Sequence, residues 1–408
     1  MAEGNSEFEV VIVGGGASGI ATAASLHRRE PSLKIAIIEP ADTHYYQPGW
    51  TMVGGGVFAA EQTARPMASV IPDFVTWIRQ SATAFEPDTN TVVLADGTRV
   101  KYIFLVVAAG LKLDWDGVEG LTDTLGRNGV TSNYRFDLAP YTWELVQRTT
   151  SGRALFTQPP MPIKCAGAPQ KAMYLACSEW ERRGCLKDMD VHFHNAGGVL
   201  FGVADYVPAL MEYVERYGIS LDLNERLTAV DGGAKTATFV TESGSKTVDF
   251  DMIHVVPPQT APDFIKHSPL AGEGGWVDVD QATLRHKTFD NVFGLGDCTN
   301  TPNAKTAAAV RKQAPIVATN LIAAILDKPL PSSYDGYGSC PLTVERGKIV
   351  LAEFGYGGKL LPSFPDWALD GTRPTRRAWV LKADVLPKIY WEAMLKGREW
   401  LVKPGKLC

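Results

Sequence analysis

The sequence predicts an α/β fold of two tandem Rossmann-like (βαβ) domains, and three observations carry that prediction. Residues 10 to 39, VVIVGGGASGIATAASLHRREPSLKIAIIE, form a complete strand–helix–strand nucleotide fingerprint. A second strand–loop–helix begins at Arg153 and continues in alternating strands and one helix to Asp251. The 408 residues, 45% of them hydrophobic and 21% charged, exceed one small core and fit two or three globular units.

In the fingerprint an apolar strand, Val10 to Val13, meets Gly14, Gly16 and Gly19 in the G-x-G-x-x-G spacing, and Ala17 opens a helix of small residues. Gly14 permits the tight turn, Gly16 lets the backbone approach a pyrophosphate, and Gly19 lets helix and sheet pack closely. The helix N-terminus then holds the phosphates. Glu39 closes the second strand, Ile35 to Ile38, about 20 residues on, where a carboxylate suits a ribose hydroxyl and repels a 2′-phosphate.

The stretch ADTHYYQPGWTMVGGG, residues 41 to 56, reads as a loop placed to wrap a ring system. Residues 91 to 110 read as a strand, an Asp96-Gly97 turn, and a second strand ending in Ala108, Ala109 and Gly110, where small residues admit a nucleotide. Between the strand at 153 to 158 and the helix from Lys171 to Arg183 stands PPMPIKCAGAPQ. A phosphate cradle needs glycines, and this loop holds four prolines and a cysteine, which argues against a nicotinamide dinucleotide there.

His192 and His194 share a strand face, and with no third ligand nearby in sequence they read as structural, so no metal is expected. From Gly275 an alternating strand and a polar turn lead to Asn291 through Asp297, which puts an acid at the end of a buried strand, suited to a ribityl hydroxyl or to capping the next helix. That helix, Lys305 to Leu326, opens with Lys305, Thr306 and three alanines, so its positive end faces an electron-rich ring edge.

From Arg373 to Cys408 nine Lys or Arg stand against three Asp or Glu, in a chain whose net charge is −5. Leu386, Ile389, Tyr390, Ala393, Met394, Trp400 and Leu401 fall on one helical face, and Lys388, Glu392, Lys396 and Glu399 on the other. Basic flanks and tryptophans fit a helix lying in a membrane interface; a helix docked on its own core fits the pattern equally. The net charge and the lack of a basic stripe exclude nucleic acid as a partner. No apolar run is long enough to span a bilayer, and no targeting segment precedes the first strand.

The six cysteines are too scattered for a disulfide scaffold. Cys165 follows Lys164 and precedes a helix N-terminus, both of which favour a thiolate. Cys340 sits in the glycine-flanked run YDGYGSCPL, Cys298 is a rival partner beside Asp297, and Cys177 reads as an inert helix residue.

The motifs KCAGAPQKAMYL around Cys165, GDCTNTPNAKTAAAV around Asp297, and YGSCPL followed by LAEF around Cys340 resemble sulfide:quinone oxidoreductases, most of all the branch with the mitochondrial enzyme. HYYQPGWTMVG and GWVDVD match as well, so the likeness covers nearly the whole chain. It implies the two-dinucleotide-domain disulfide-reductase flavoprotein fold. Residues 1–115 and 255–326 would form a discontinuous FAD-binding domain, 116–254 the second Rossmann-like domain, and 327–408 a C-terminal membrane-interface region. It implies FAD as cofactor, Cys165 and Cys340 as the redox pair, and FAD contacts at Glu39, Gln47, Ala82 and Asp297, with Gly49 and Ala82 smaller than the family pattern. The activity implied is oxidation of hydrogen sulfide, transfer of two electrons to a membrane quinone, and passage of the sulfane sulfur to a small acceptor such as glutathione, sulfite, cyanide or sulfide. Phe354, Tyr356 and Tyr390 are the aromatic candidates for stacking on the quinone. A peripheral, monotopic protein on the cytoplasmic side of a bacterial inner membrane is expected, with oligomers allowed. A flavocytochrome-type sulfide dehydrogenase, a type II NADH:quinone dehydrogenase and a non-catalytic redox sensor are the alternatives.

Overall fold

The computed structural model describes residues 7–400, 402 and 404–406. The chain opens with β1 (Glu7–Val13), α1 (Ala17–Arg29) and β2 (Ile35–Ile38), followed by β3 (Thr76–Ile78), β4 (Ala82–Glu86), β5 (Thr91–Leu94) and β6 (Arg99–Val107). They pair in the order β3-β2-β1-β6-β5-β4, parallel from β3 to β6 and antiparallel beyond. The central strands are buried on both faces, which is why Val10 to Val13 and Ile35 to Ile38 read as unbroken apolar runs.

A second unit holds β7 (Val130–Thr131), β8 (Gly152–Gln158), α2 (Ala168–Arg183), β9 (Met189–Asn195), α3 (Val207–Tyr217), β10 (Ser220–Leu223) and β11 (Met252–His254). Its parallel sheet runs β7-β11-β8-β9-β10, and a three-stranded antiparallel sheet over residues 226–249 stands beside it. The chain then returns to the first sheet: β12 (Val292–Gly294) pairs with β6. The long α4 (Ala307–Ile325) packs on α1, and the hairpin β13 (Gly338–Glu345) and β14 (Lys348–Phe354) follows.

Two local expectations change. The 41–56 stretch carries a short strand at Thr43–Tyr45 and a helical turn at Trp50–Gly54. The alternating strand expected after Gly275 makes only isolated bridges, from Val277 to Ala271 and Thr299 and from Val279 to His286, because three separate segments satisfy its backbone.

The tail corrects a larger expectation. Residues 376–392 are helical, α5 (Arg376–Val380) and α6 (Leu386–Glu392) joined through a π turn at Leu381–Val385. The helix stops at Ala393 and the chain turns through Gly397 at φ 66°, so Trp400 is not on the helical face expected of it. Leu401 and Cys408 lie outside the described residues. Tyr390, Trp391, Met394 and Leu395 are buried in the core of the first sheet, and Arg29 holds Glu399 in a two-point ion pair. That part of the apolar face docks on the protein's own core, while Leu386 and Ile389 face a cavity. Among the described residues no helix is long and apolar enough to cross a membrane.

Candidate active site

A cavity of about 1020 Å³ lies where the first unit, the 159–167 loop and the C-terminal segment meet. Gly14, at φ 110°, makes the turn after β1, and a Cβ there would press on the Ala108 carbonyl. A Cβ on Gly19 would overlap the Gly14 carbonyl oxygen, so Gly19 stands behind the turn and sets the α1–β1 approach. Gly16 opens freely onto the cavity, and Ala17 lines it at the start of α1. The Glu39 carboxylate accepts from the Gly15 N–H at 2.7 Å and the Ala41 N–H at 2.8 Å, shaping the turn while its edge lines the cavity.

Gln47, Ala109, Gly110, Asp297, Lys305 and Thr306 also line it. Thr306, rather than Asp297, caps α4: its hydroxyl accepts from the Ala309 N–H at 3.2 Å. Lys305 is buried and donates to the Thr299 carbonyl at 2.8 Å. Burial pushes the Asp297 carboxyl up, against the pull of Lys305 and Lys164. The indole N–H of Trp50 and the hydroxyl of Thr51 are buried on this wall without a partner among the described residues. An open glycine turn, a helix N-terminus, an acid and unpartnered polar atoms around a space of this size fit the FAD that the sequence implies.

The loop after β8 brings the redox chemistry. Cys165 stands at φ 82°, a left-handed conformation that costs a non-glycine residue about 1 kcal/mol or more. Its Sγ lies 3.7 Å from Sγ of Cys340, which β13 presents from the second core. The Lys171 ammonium donates to Cys165 Sγ at 3.2 Å. Contact with Cys340 and the positive charge of Lys171 hold the Cys165 thiol well below its usual range, while the same contact and burial hold Cys340 well above it. The Lys171 contact makes Cys165 the sulfur of the pair better placed to carry a thiolate.

Lys164, its neighbour in sequence, is not the activating cation: its ammonium donates to the side-chain Oε1 of Gln47 at 2.7 Å, and burial lowers it to about 8. Lys171 does that work because side chains in the first turn of a helix lean back toward its N-terminus. That geometry was available in the sequence. Lys382 was not legible: the π turn sets it, buried, with its ammonium on the Pro48 carbonyl at 2.8 Å and its charge close enough to favour the Cys165 thiolate.

Cys298 is no partner for either cysteine. It is buried in the first core, its thiol directed at the Val107 and Leu295 carbonyls, and burial raises it to about 11. Cys177 is buried inside α2, where burial raises it too.

Three expected contacts fall elsewhere. Ala82 lies on β4 against Phe264 in a separate, smaller cavity, because that strand sits at the sheet edge. Phe354 packs on Phe201 in the second core, and the Tyr356 hydroxyl donates to the Gln281 carbonyl, so neither lines the large cavity. Tyr390 does line it, with its hydroxyl 2.6 Å from Nε2 of His44. The apolar wall comes instead from Leu360, Leu361 and Phe364 and from Leu381, Val385, Leu386 and Ile389 of the tail helix.

The histidine pair also has a neighbour that its local sequence hid. Asp222, opposite His194 on β10, reaches Nδ1 of His192 at 2.8 Å, and Glu225 reaches Nδ1 of His194 at 2.8 Å. Lys246 pairs with both carboxylates, so the group is an ion-pair network.

Comparison with known proteins agrees with this geometry. A family profile described as Pyridine nucleotide-disulphide oxidoreductase matches residues 8–149. The mitochondrial sulfide:quinone oxidoreductase of Dictyostelium discoideum is 44% identical over 97% of this chain and 87% of its own length. The mouse mitochondrial enzyme is 38% identical over 96% and 87%. The crystal structure of the sulfide:quinone oxidoreductase from Aquifex aeolicus shares the fold with a TM-score of 0.79 at 21% identity, covering 99% of this chain and 97% of that one. These comparisons give no support to a bacterial inner-membrane location, since three relatives at 35–44% identity are mitochondrial by name. At this identity and coverage, the chain belongs to the sulfide:quinone oxidoreductase family.

Proposed function

We propose that the protein oxidises hydrogen sulfide at the Cys165–Cys340 pair and passes the two electrons to a quinone, with FAD bound between the glycine turn and the cysteines. The observation that carries this reading is the 3.7 Å approach of the Cys340 sulfur, buried in the second core, to the Cys165 sulfur on the wall of a dinucleotide-sized cavity, with Lys171 on the latter.

In the oxidised pair a sulfur linkage joins the two cysteines. Hydrosulfide attacks the Cys340 sulfur, forming a persulfide there, and the linkage breaks with its electron pair leaving on Cys165. The lower thiol pKa of Cys165 makes it the better leaving sulfur, and Lys171 holds the charge that develops. Once the persulfide sulfur has left Cys340, the Cys340 thiolate re-forms the bond to Cys165, and FAD, when bound, takes up the electron pair so released and delivers it onward. The persulfide sulfur goes to a small acceptor such as glutathione, sulfite, cyanide or a second sulfide. Gly14, Gly16, Ala17, Glu39, Gln47, Ala109, Gly110, Asp297, Lys305 and Thr306 hold the cofactor.

The quinone enters along the apolar wall of residues 360–364 and the tail helix. Leu360, Val385 and Trp400 line the cavity and are also exposed, and Trp367 (85% exposed) and Val380 (45%) extend the apolar surface. This rim seats the protein on a membrane as a peripheral guest.

Stopped-flow mixing of the FAD-loaded protein with sulfide and a quinone tests the reading: rapid bleaching of the flavin band followed by quinone reduction is expected. Cys165→Ser and Cys340→Ser should abolish the bleaching while FAD stays bound. Substantial turnover by both variants would overturn the assignment.

A further inference from the structure

The β13–β14 hairpin divides its side chains by the two-residue period of a strand. Cys340, Leu342, Val350 and Ala352 enter the second core, whereas Ser339, Pro341, Leu351 and Glu353 line the cavity. Glu353 is the outlier in that set: a carboxylic acid, 5% exposed, on the wall that otherwise carries Leu360, Leu361 and Phe364.

Its side-chain partners among the described residues are all neutral. The Tyr337 hydroxyl and the Ser363 hydroxyl donate to Oε1, each at 2.5 Å, and the Ser363 N–H donates to Oε2 at 3.0 Å. Tyr337 and Ser363 also touch each other at 3.2 Å. Tyr337 is buried and Ser363 is exposed, so this short chain of hydroxyls links solvent to an acid inside an apolar cavity. The charged and titratable groups around it are Arg311 and Lys312 on α4, Asp335 before β13, and Tyr206, whose hydroxyl holds the Glu353 backbone.

A buried acid costs several kcal/mol to maintain where an apolar residue would pack. Reduction of a quinone to a quinol takes two electrons and two protons, and the side chains of Leu360, Leu361 and Phe364 on that wall supply no proton. We infer that Glu353 is the proton donor for quinone reduction, recharged from solvent through the Ser363 hydroxyl. The inference rests on the quinone-reductase reading above. Glu353, which accepts from Tyr337 and Ser363, first takes a proton from water by way of the Ser363 hydroxyl; as the electron pair from sulfide arrives, that O–H bond breaks and a quinone O–H bond forms, and the carboxylate is recharged by the same route. A second round of the same transfer completes the quinol.

Glu353→Gln preserves the shape and the contact with the Ser363 N–H but removes the acid. The holoenzyme variant should bleach with sulfide at the wild-type rate, pass electrons to a short-chain quinone about 100-fold more slowly, and lose the wild-type pH profile of that step. Glu353→Asp should restore part of the rate. Ferricyanide takes electrons without protons, so its reduction should be unchanged. Calorimetric binding of a redox-inert quinone analogue should be unchanged too. Equal slowing toward ferricyanide and quinone, lost analogue binding, or an unaltered quinone rate would overturn the inference. If the glutamine variant does not fold, Ser363→Ala decides: a quinone-specific loss supports the relay, and wild-type rates overturn it. A wild-type chain that bleaches with sulfide but reduces no quinone would refute the parent reading instead.

Discussion

Sγ of Cys165 and Sγ of Cys340 lie 3.7 Å apart although 175 residues separate them in the chain. The loop after β8 supplies one sulfur and the hairpin that follows α4 supplies the other, so the pair exists only when both units are assembled. Lys171 breaks the symmetry of the pair by donating to Cys165 alone. That asymmetry decides which sulfur leaves as a thiolate and underlies the first prediction.

Replacing Lys171 with methionine removes the cation that favours the Cys165 thiolate, so the thiol pKa rises and the thiolate fraction at neutral pH falls. Each unit of rise lowers that fraction about tenfold once the pKa exceeds the working pH. Alkylation rates measured against pH should show their midpoint moved upward in Lys171→Met and largely restored in Lys171→Arg. A midpoint that does not move would mean that Lys171 does not set the thiolate.

Acid should destabilise the fold through buried histidines. Burial lowers His44 and His254 to about 4 from an ordinary 6.5. Below pH 6.5 the unfolded chain takes up protons that the native state refuses, so stability falls as pH drops toward 4, by about 2 kcal/mol for each histidine between pH 6.5 and 5. Denaturant midpoints at pH 7 and pH 5 measure this, and the loss should be smaller in His44→Gln.

Membrane attachment should follow the exposed apolar rim rather than the docked face of the tail helix. Serine at Trp367, Val380 and Trp400 together should reduce sedimentation with liposomes while leaving FAD content and the denaturant midpoint nearly unchanged, because all three are exposed. Undiminished sedimentation would place the contact elsewhere.

Gly19→Ala should prevent FAD retention, since the added methyl overlaps the Gly14 carbonyl oxygen and the turn between β1 and α1 must move. A cost of about 3 kcal/mol or more is expected from overpacking against backbone. The ratio of flavin to protein absorbance after purification measures it.

Much of this was legible in residue order alone. The run from Val10 to Glu39 dictated strand, turn, helix and strand because its apolar period, its three glycines and its closing acid act over a few residues. The prolines of the 159–170 loop argued against a phosphate cradle for the same local reason, and the character of the Cys165 loop followed from its neighbours. What only the tertiary structure decided depends on contacts between distant segments: the meeting of Cys165 with Cys340, the approach of Lys382 to that pair, and the approach of Asp222 to the histidines. Glu353 and its hydroxyl chain belong to this group as well. The tail shows the limit most plainly, since an amphipathic face specifies that it must be covered but not by what. In the folded chain His44 and Tyr46 meet Tyr390, and the protein covers that part of the face itself. Burial and pairing across long loops are properties of the assembled packing, and no local pattern of residues encodes them.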